Sequence, residues 1–310
     1  RGGPSSEYDV SMLSGAAVLE ALTASGYDCS DIVITRTGDW LQAGRSRRPE
    51  HILQGIDVVF IALHGTYGED GQVQRLLEQF HVPYTGSNAF ASAMAFNKIL
   101  AKERVAADAM PMPRGRALRR HHLKDPRTIT MIETELGVEF FAKPLQSGSS
   151  DGARRIGPED DTYAVLAELF EDYDTLLLEE FIAGTEATVG VLEDFRNQLV
   201  YVLPVVEIIP PDEAPFFDRA VKYSGATREI VPGNFSPTLR TELQRLARLA
   251  HETLGCQQYS RTDFLIRNGG IFYLETNTLP GLTSQSLFPK AADAVGLGFS
   301  DLVRHLVETA

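Results

Sequence analysis

The sequence predicts an α/β protein of two or three packed units around a cleft. Three observations carry that prediction: a length of 310 residues, strand-like and helix-like runs that alternate through the N-terminal third, and a strongly signalled hairpin near the end. Hydrophobic residues make up 43% and charged residues 23%, enough for a sizeable core and without the signature of wholesale disorder. A net charge of -13 offers no basic stripe, so no nucleic-acid partner is expected, and an anionic ligand needs local cations or metal. Cys29 and Cys256 lie far apart without metal-type spacing and read as small apolar residues of a reducing compartment. No apolar run approaches membrane-spanning length, and the N-terminus lacks the charged and apolar regions of a signal peptide. A cytoplasmic protein with no membrane partner is expected.

Taken in order, "RGGPSSEYDVSMLSGAAVLEALTASG" reads as a glycine turn and then a helix. Ser5 or Ser6 is the expected N-cap, and Val10, Leu13, Ala17, Val18 and Leu22 form the expected apolar face. Such a turn normally follows a strand, and none precedes Arg1, so the sequence is expected to begin after a first strand. "DIVITR" (31–36) and "DVVFIALHG" (57–65) read as strands, the second apolar enough for a buried parallel strand. Helices are expected over 70–81 and from about 89 to 106. From about 115 the character shifts. "VEFFAKPLQSGSSDGARRI" (138–156) reads as strand, Gly/Ser loop and strand, followed by a helix over 159–172 and the strands "TLLLEEFI" and "EATVGVLE". A two-strand unit with a loop at its tip suits a small lid. A strand near 199–208, a polar loop (210–235), a helix over 236–254, the hairpin, a loop (276–288) and a helix near 300–309 complete the chain. Loops of that length inside a compact domain are usually functional.

The hairpin is "RTDFLIRNGGIFYLETN" (261–277), with Asn268, Gly269 and Gly270 at its tip. With the turn centred on Gly269, Asp263 falls opposite Glu275 and Arg261 opposite Asn277, all four on one face. Opposed residues have Cβ atoms roughly 4.5–5.5 Å apart, close enough for two like charges to destabilise the pair. One or two divalent cations would turn that repulsion into coordination, because carboxylate and amide oxygens are hard ligands suited to Mg²⁺. A solvated face on which Arg261 neutralises one acid stands beside that reading.

"KPLQSGSSDG" places Lys143 at a strand end, ahead of a loop of Gly148, Ser149, Ser150 and Gly152 whose backbone N–H groups can approach phosphate oxygens. Alone, it reads equally as a flexible tip with an exposed lysine. Lys98 sits in "AFNKILAK", a helix on which most lysines are merely solvated. Together these groups balance. A nucleoside triphosphate brings roughly four negative charges, and two Mg²⁺ with Asp263 and Glu275 leave a remainder that lysines neutralise, so ATP fits better than a monophosphate. "LLLEEFIAGTE" offers backbone donors and acceptors for an adenine at Glu179 to Ile182, apolar cover from Phe181 and Ile182, and Glu186 for ribose hydroxyls; an edge strand with a solvated acid pair is its plainer reading.

The order "GGPSSEYDVS", "ALHGTYGEDG", "YTGSNAFASAMAFNK", "AKPLQSGSSDG", "EEFIAGTE", "VKYS", "SRTDF" and "YLETNTLPGLTSQSLFP" resembles the ATP-grasp family and, within it, the D-alanine:D-alanine ligases. The resemblance runs over nearly the whole chain, and its last stretch with "RTDF" is the most specific part. It implies a three-domain ATP-grasp fold of the α/β (α+β) class: an N-terminal parallel-sheet domain over 1–94, a small central lid domain over 95–190 and a C-terminal mixed-sheet domain over 191–310. It further implies ATP with two Mg²⁺ or Mn²⁺, two D-alanine molecules as substrates, a homodimer, and a product used in peptidoglycan precursor synthesis.

Position by position, the resemblance implies Lys98 and Lys143 on the ATP phosphates, Gly148, Ser150 and Gly152 in the loop above them, and Glu179, Phe181, Ile182 and Glu186 around the nucleoside. Asp263, Glu275 and Asn277 match magnesium ligands. Glu7 matches the acid that anchors the ammonium of the first D-alanine, and His64 a substrate-pocket histidine, which by itself reads as a satisfied strand-end residue. Lys222, Ser286 and Leu287 match the pocket for the second D-alanine. Tyr223 matches a loop tyrosine linked to Glu7 and Ser149, and Arg261 with the N–H of Gly281 matches the groups that stabilise the tetrahedral intermediate. Tyr223, Ser149 and the leaving phosphate all stand as acceptors for the proton of the attacking amine. Asp151 departs from the family by placing a negative charge in the phosphate loop. Two rivals follow: a related ligase making another dipeptide or a depsipeptide, with Tyr223 arguing against the D-lactate acceptor of the latter, and a nucleotide-binding protein without turnover, against which Arg261, Asp263, Glu275 and Asn277 together argue.

Overall fold

The computed structural model describes residues 1–146, 148, 151–211 and 227–310. Ser149, Ser150, Lys222 and Tyr223 of the expected site lie outside the described residues.

In the N-terminal unit, α1 (Tyr8–Ala24) packs beside a small sheet of β1 (Ile32–Ile34), β2 (Trp40–Gln42) and β3 (Arg45–Ser46). These strands pair antiparallel, whereas residues 1–3 lie parallel to β1, with Ile34 N–H donating to Arg1 O and Gly3 N–H to Ile34 O, each at 2.8 Å. The expected parallel strand at 57–65 forms one regular parallel bridge, Val59 to Tyr84. Its carbonyls find other partners: Ala62 O and His64 O accept the hydroxyls of Ser11 and Ser5, each at 2.6 Å. This corrects part of the expected face of α1: Val18 and Leu22 are buried as expected, and Leu13 is not. Ser11, Ser14, Gly15, Val18, Ala21 and Leu22 turn inward, and Leu13 is 65% exposed, because small side chains let the helix approach 61–64 and satisfy its polar groups. The N-cap is Glu7, not Ser5 or Ser6.

A short α2 (Pro49–Ile52) and α3 (Gln72–Gln79) follow. The single helix expected over 89–106 is two, α4 (Ala89–Phe96) and α5 (Lys98–Ala106), each started by an asparagine: Asn88 Oδ1 accepts from Ala91 N–H at 2.9 Å, and Asn97 Oδ1 from Leu100 N–H at 3.2 Å. Lys98 is therefore the first residue of a helix, beside the cleft.

The central unit is larger than a two-strand lid. β4 (Gly115–Arg119), β5 (Phe140–Pro144), β6 (Arg154–Ile156) and β7 (Thr175–Glu180) form an antiparallel sheet in the order β4-β7-β5-β6. α6 (Thr128–Leu136) and α7 (Thr162–Asp172) share its core with Leu118, Phe140, Ala142, Leu176 and Leu178. Alternation then sends Phe141, Lys143 and Glu179 to the other face, toward the cleft.

The C-terminal sheet contains β8 (Thr185–Phe195), β9 (Gln198–Val202), β10 (Val206–Ile209), β11 (Arg228–Ile230), β12 (Tyr259–Arg267) and β13 (Gly270–Asn277) in the order β11-β10-β8-β12-β13, with β9 also on β8. The strand expected near 199–208 is thus broken in two. α8 (Pro237–Leu254) starts at Ser236, whose hydroxyl accepts from Leu239 N–H, and ends at Gly255 with φ 70°. Its stripe of Leu243, Leu246, Ala247, Ala250 and Leu254 is buried against the sheet, each leucine worth roughly 2 kcal/mol. α9 (Leu287–Asp293) and α10 (Phe299–Glu308) close the chain. Among the described residues no helix is long and apolar enough to cross a membrane.

Candidate active site

A cavity of about 840 Å³ opens where the three units meet. Every described residue of the expected site lines it except Gly152. That glycine takes φ 72°, and a Cβ there would press on Pro144 and Tyr173. Asp151 also stays off the lining, its N–H closing a turn onto Gly148 O at 2.9 Å.

The floor is the β12–β13 hairpin. Arg261 faces Asn277 and Asp263 faces Glu275, the pairing expected, but it arises differently. The tip is a two-residue turn, Asn268 and Gly269, at φ 51° and 79°, and a bulge beside Asp263 restores the offset. The bulge leaves Leu274 out of the pairing, and both Leu274 and Glu275 line the cavity. Repulsion between the two acids is offset within the chain. Arg261 donates from Nε and Nη2 to Oδ1 and Oδ2 of Asp263 at 2.9 and 2.8 Å, and the Thr188 hydroxyl donates to Oδ1. Lys98 Nζ lies 3.5 Å from Glu275 Oε2. Burial works against the Arg261 cation, yet Asp263 and the surrounding carboxylates outweigh it and raise the guanidinium above its usual range.

Arg261 thus does neutralise one acid, and the face remains a set of hard oxygen donors. Asn277 is oriented by Leu279 N–H, which donates to its Oδ1 at 2.9 Å. Among the described residues no three His, Cys, Asp or Glu side chains cluster to cage a metal. Two carboxylates and an amide therefore fit a divalent cation that keeps water and takes further oxygens from phosphate, the habit of Mg²⁺.

At the central sheet, Lys143 and Glu179 stand on neighbouring strands, Nζ to Oε2 2.7 Å. A lysine that sequence reasoning passed over, Lys102 of α5, lies 2.6 Å from Glu179 Oε1, an ion pair outside hydrogen-bond angles. Burial would push the Glu179 carboxyl up, but the two ammonium groups hold it down at about 2. Lys102 follows Lys98 by one helical turn in "NKILAK", and that i, i+4 repeat was the available signal. Phe181 N–H donates to Glu139 O at 3.3 Å, and Phe181 packs by Phe141 with ring centroids 5.8 Å apart.

The N-terminal wall supplies Glu7, His64 and Glu69. Glu7 is buried, and a Cβ on Gly148 would overlap its Oε2, so this loop residue rests on the carboxylate. Leu279 O can only accept, so His64 Nδ1 carries a proton toward it at 3.1 Å, and Nε2 lies 2.9 Å from the Ser14 hydroxyl. Glu69, also unassigned by sequence although it stands in "ALHGTYGEDG", accepts from Gly65 N–H at 2.8 Å. Burial and the nearby Glu7 push its carboxyl up to about 8, against Gly65 N–H and Arg261. At the remaining end, Gly281, Ser286 and Leu287 line the cavity, Ser286 Oγ accepts from Thr283 N–H at 3.1 Å, and Lys290 pairs with Glu229 at 2.7 Å.

Two family models match the chain: "D-ala D-ala ligase C-terminus" over residues 105–308 and "D-ala D-ala ligase N-terminus" over 44–87. A D-alanine–D-alanine ligase of Geotalea uraniireducens is 40% identical over 311 residues, covering 100% of this chain and 93% of that protein. Among solved structures, VanG D-Ala:D-Ser ligase from Enterococcus faecalis superposes with a TM-score of 0.81 at 28% identity, over 99% of this chain and 97% of that one. D-alanine–D-alanine ligase from Bacillus anthracis, complexed with ATP, gives 0.78 at 26% identity over 99% and 94%.

Proposed function

The chain belongs to the D-alanine–D-alanine ligase family, and on that premise we propose that it joins two D-alanines into D-alanyl-D-alanine for peptidoglycan precursors, with ATP converted to ADP and phosphate. The observation that carries this reading is the convergence on one cavity of the Asp263/Glu275 pair, the Lys98 and Lys143 cations and the buried Glu7 carboxylate. We propose three domains, over 1–94, 95–190 and 191–310; the nearest structural breaks are the helix break at Asn97 and the passage from β7 to β8 between Glu180 and Thr185. A cytoplasmic location follows from the use of ATP.

Asp263, Glu275 and Asn277 would hold one or two Mg²⁺ or Mn²⁺, which when bound screen phosphate charge and align the transferring group. Lys98 and Lys143 face the phosphates, Phe181, Ile182 and Leu274 cover the base, Glu179 to Ile182 offer its polar partners, and Glu186 takes the ribose. Glu7 holds the ammonium of the first D-alanine, leaving its carboxylate free to attack the γ-phosphorus in line and form an acyl phosphate as the bond to ADP breaks. The second D-alanine, held by Ser286 and Leu287, attacks the acyl carbon through its free amine. Arg261 and Gly281 N–H receive the oxyanion, and phosphate departs as the carbonyl re-forms, taking up the proton that the attacking amine sheds. Acyl phosphates hydrolyse, so the seating of Gly148 on Glu7 favours a closed site that excludes water.

The test is ADP release and product analysis with D-alanine, L-alanine and D-lactate in parallel. ADP and D-alanyl-D-alanine with D-alanine alone are expected. No ADP with any acceptor means a binding protein without turnover, and a depsipeptide as main product means a different acceptor.

A further inference from the structure

Lys102 lines no part of the cavity, yet it touches both walls of the nucleotide end. It is 8% exposed on α5, and its Nζ meets two elements: Glu179 Oε1 on β7 at 2.6 Å and the Tyr273 carbonyl oxygen on β13 at 3.3 Å, with the Tyr273 ring centroid at 5.6 Å. β7 belongs to the central sheet and β13 to the hairpin that carries Glu275. One ammonium therefore joins the two surfaces between which the nucleotide lies.

Charge gives this contact a second consequence. Glu179 is 2% exposed and faces two ammonium groups, Lys102 on one oxygen and Lys143 on the other at 2.7 Å. One negative charge shared by two cations leaves the group with a net positive charge, and Lys143 is the member that lines the cavity. If Lys143 alone faced Glu179, the pair would be neutral and its pull on an anion small. Burial above all lowers Lys102 from its usual range, Glu179 works against it, and Lys143 adds to the lowering, as expected when two cations compete for one carboxylate.

We propose that Lys102 is a positioning residue for the triphosphate: it takes up part of the charge of Glu179, so that Lys143 keeps positive charge toward the phosphates, and it pins β7 to β13 across the nucleotide cleft. The inference rests on the nucleotide reading above but not on which amino acids are joined.

The test is a cycle of Lys102→Met, Glu179→Gln and the double variant, with ATP affinity measured by calorimetry without D-alanine and KM and kcat measured in turnover. Lys102→Met should weaken ATP binding and raise its KM by about tenfold, with the KM for D-alanine within about twofold of wild type. Lys102→Arg, which keeps a cation, should recover part of the loss. In the Glu179→Gln background no charge remains to share, so removing Lys102 should change ATP affinity by less than about threefold. That comparison stands even if Lys102→Met alone fails to fold. Wild-type affinity in Lys102→Met, or a tenfold further loss in the double variant relative to Glu179→Gln, overturns the proposal. Wild-type protein that binds no ATP overturns the nucleotide reading and this inference together, whereas ATP binding without dipeptide overturns only the product.

Discussion

Glu69 and Glu179 are the same carboxyl group buried in two walls of one cavity, and their surroundings push them in opposite directions. In the N-terminal wall, burial and Glu7 push Glu69 up to about 8. In the central wall, burial pushes Glu179 in the same direction, but Lys102 and Lys143 outweigh it and hold it at about 2. Depth does not separate them, since both are buried. The commitment of the nearby cations does. Glu179 has two ammonium groups in contact, whereas the cation near Glu69 is Arg261, which already gives two donors to Asp263. The substrate wall thus pushes an acid toward its neutral form, and the nucleotide wall carries a net positive triad.

The contrast breaks most completely when Glu179 loses its cations. A Lys102→Met/Lys143→Met variant should turn Glu179 into a second Glu69, protonated at neutral pH, and cost about 3–5 kcal/mol in urea unfolding. The sign also shows in the acid limb. Ionised Glu179 contributes stability that is fully present above its ordinary value of 4.5 and is lost as pH falls toward about 2. The double variant should lack that contribution, and an unfolding midpoint equal to wild type would refute the account.

A smaller effect is expected from Asp263→Asn, which releases Arg261 toward Glu69. It should cost about 1.5–3 kcal/mol through the lost charge-assisted bonds, and the Glu69 midpoint should drop in a carboxyl NMR titration. Glu275→Gln should leave stability near wild type, because its side chain is 41% exposed, and both variants should lose ADP release. A Glu69 midpoint that stays put in Asp263→Asn would show that Asp263 withholds nothing from it.

The smallest change sharpens the comparison. Glu69→Gln replaces an already neutral acid by an amide and should cost less than about 1 kcal/mol at pH 7. A raised carboxyl favours the folded state while protonated, so wild-type stability should fall as pH rises from 4.5 to about 8, and the variant should be flat over that interval. A cost of several kcal/mol at pH 7 would mean that Glu69 is ionised.

The hairpin pairing was legible in the sequence for an instructive reason. A turn centred on Gly269 and the observed two-residue turn plus bulge predict the same partner for Asp263, because two one-residue offsets cancel. Alternation cannot reveal a bulge, so the placement of Leu274 was invisible. Lys102 was missed because a helical lysine reads as solvated, and its burial is decided by Glu179 and the Tyr273 carbonyl, distant in the chain. The face of α1 was misjudged in part because apolar periodicity says nothing about carbonyls at Ala62 and His64 that need Ser11 and Ser5. β4 escaped notice because "GRALR" is a charged edge strand with one buried side chain.

The bulge also fixes a ruler inside the cleft. Leu274, which is apolar, and Glu275, which is ionic, are consecutive in the chain and open onto the same space. The apolar and the ionic residue are therefore held one peptide unit apart, about 3.8 Å between Cα atoms. Covalent geometry holds that distance, and no breathing of one domain against another can stretch it.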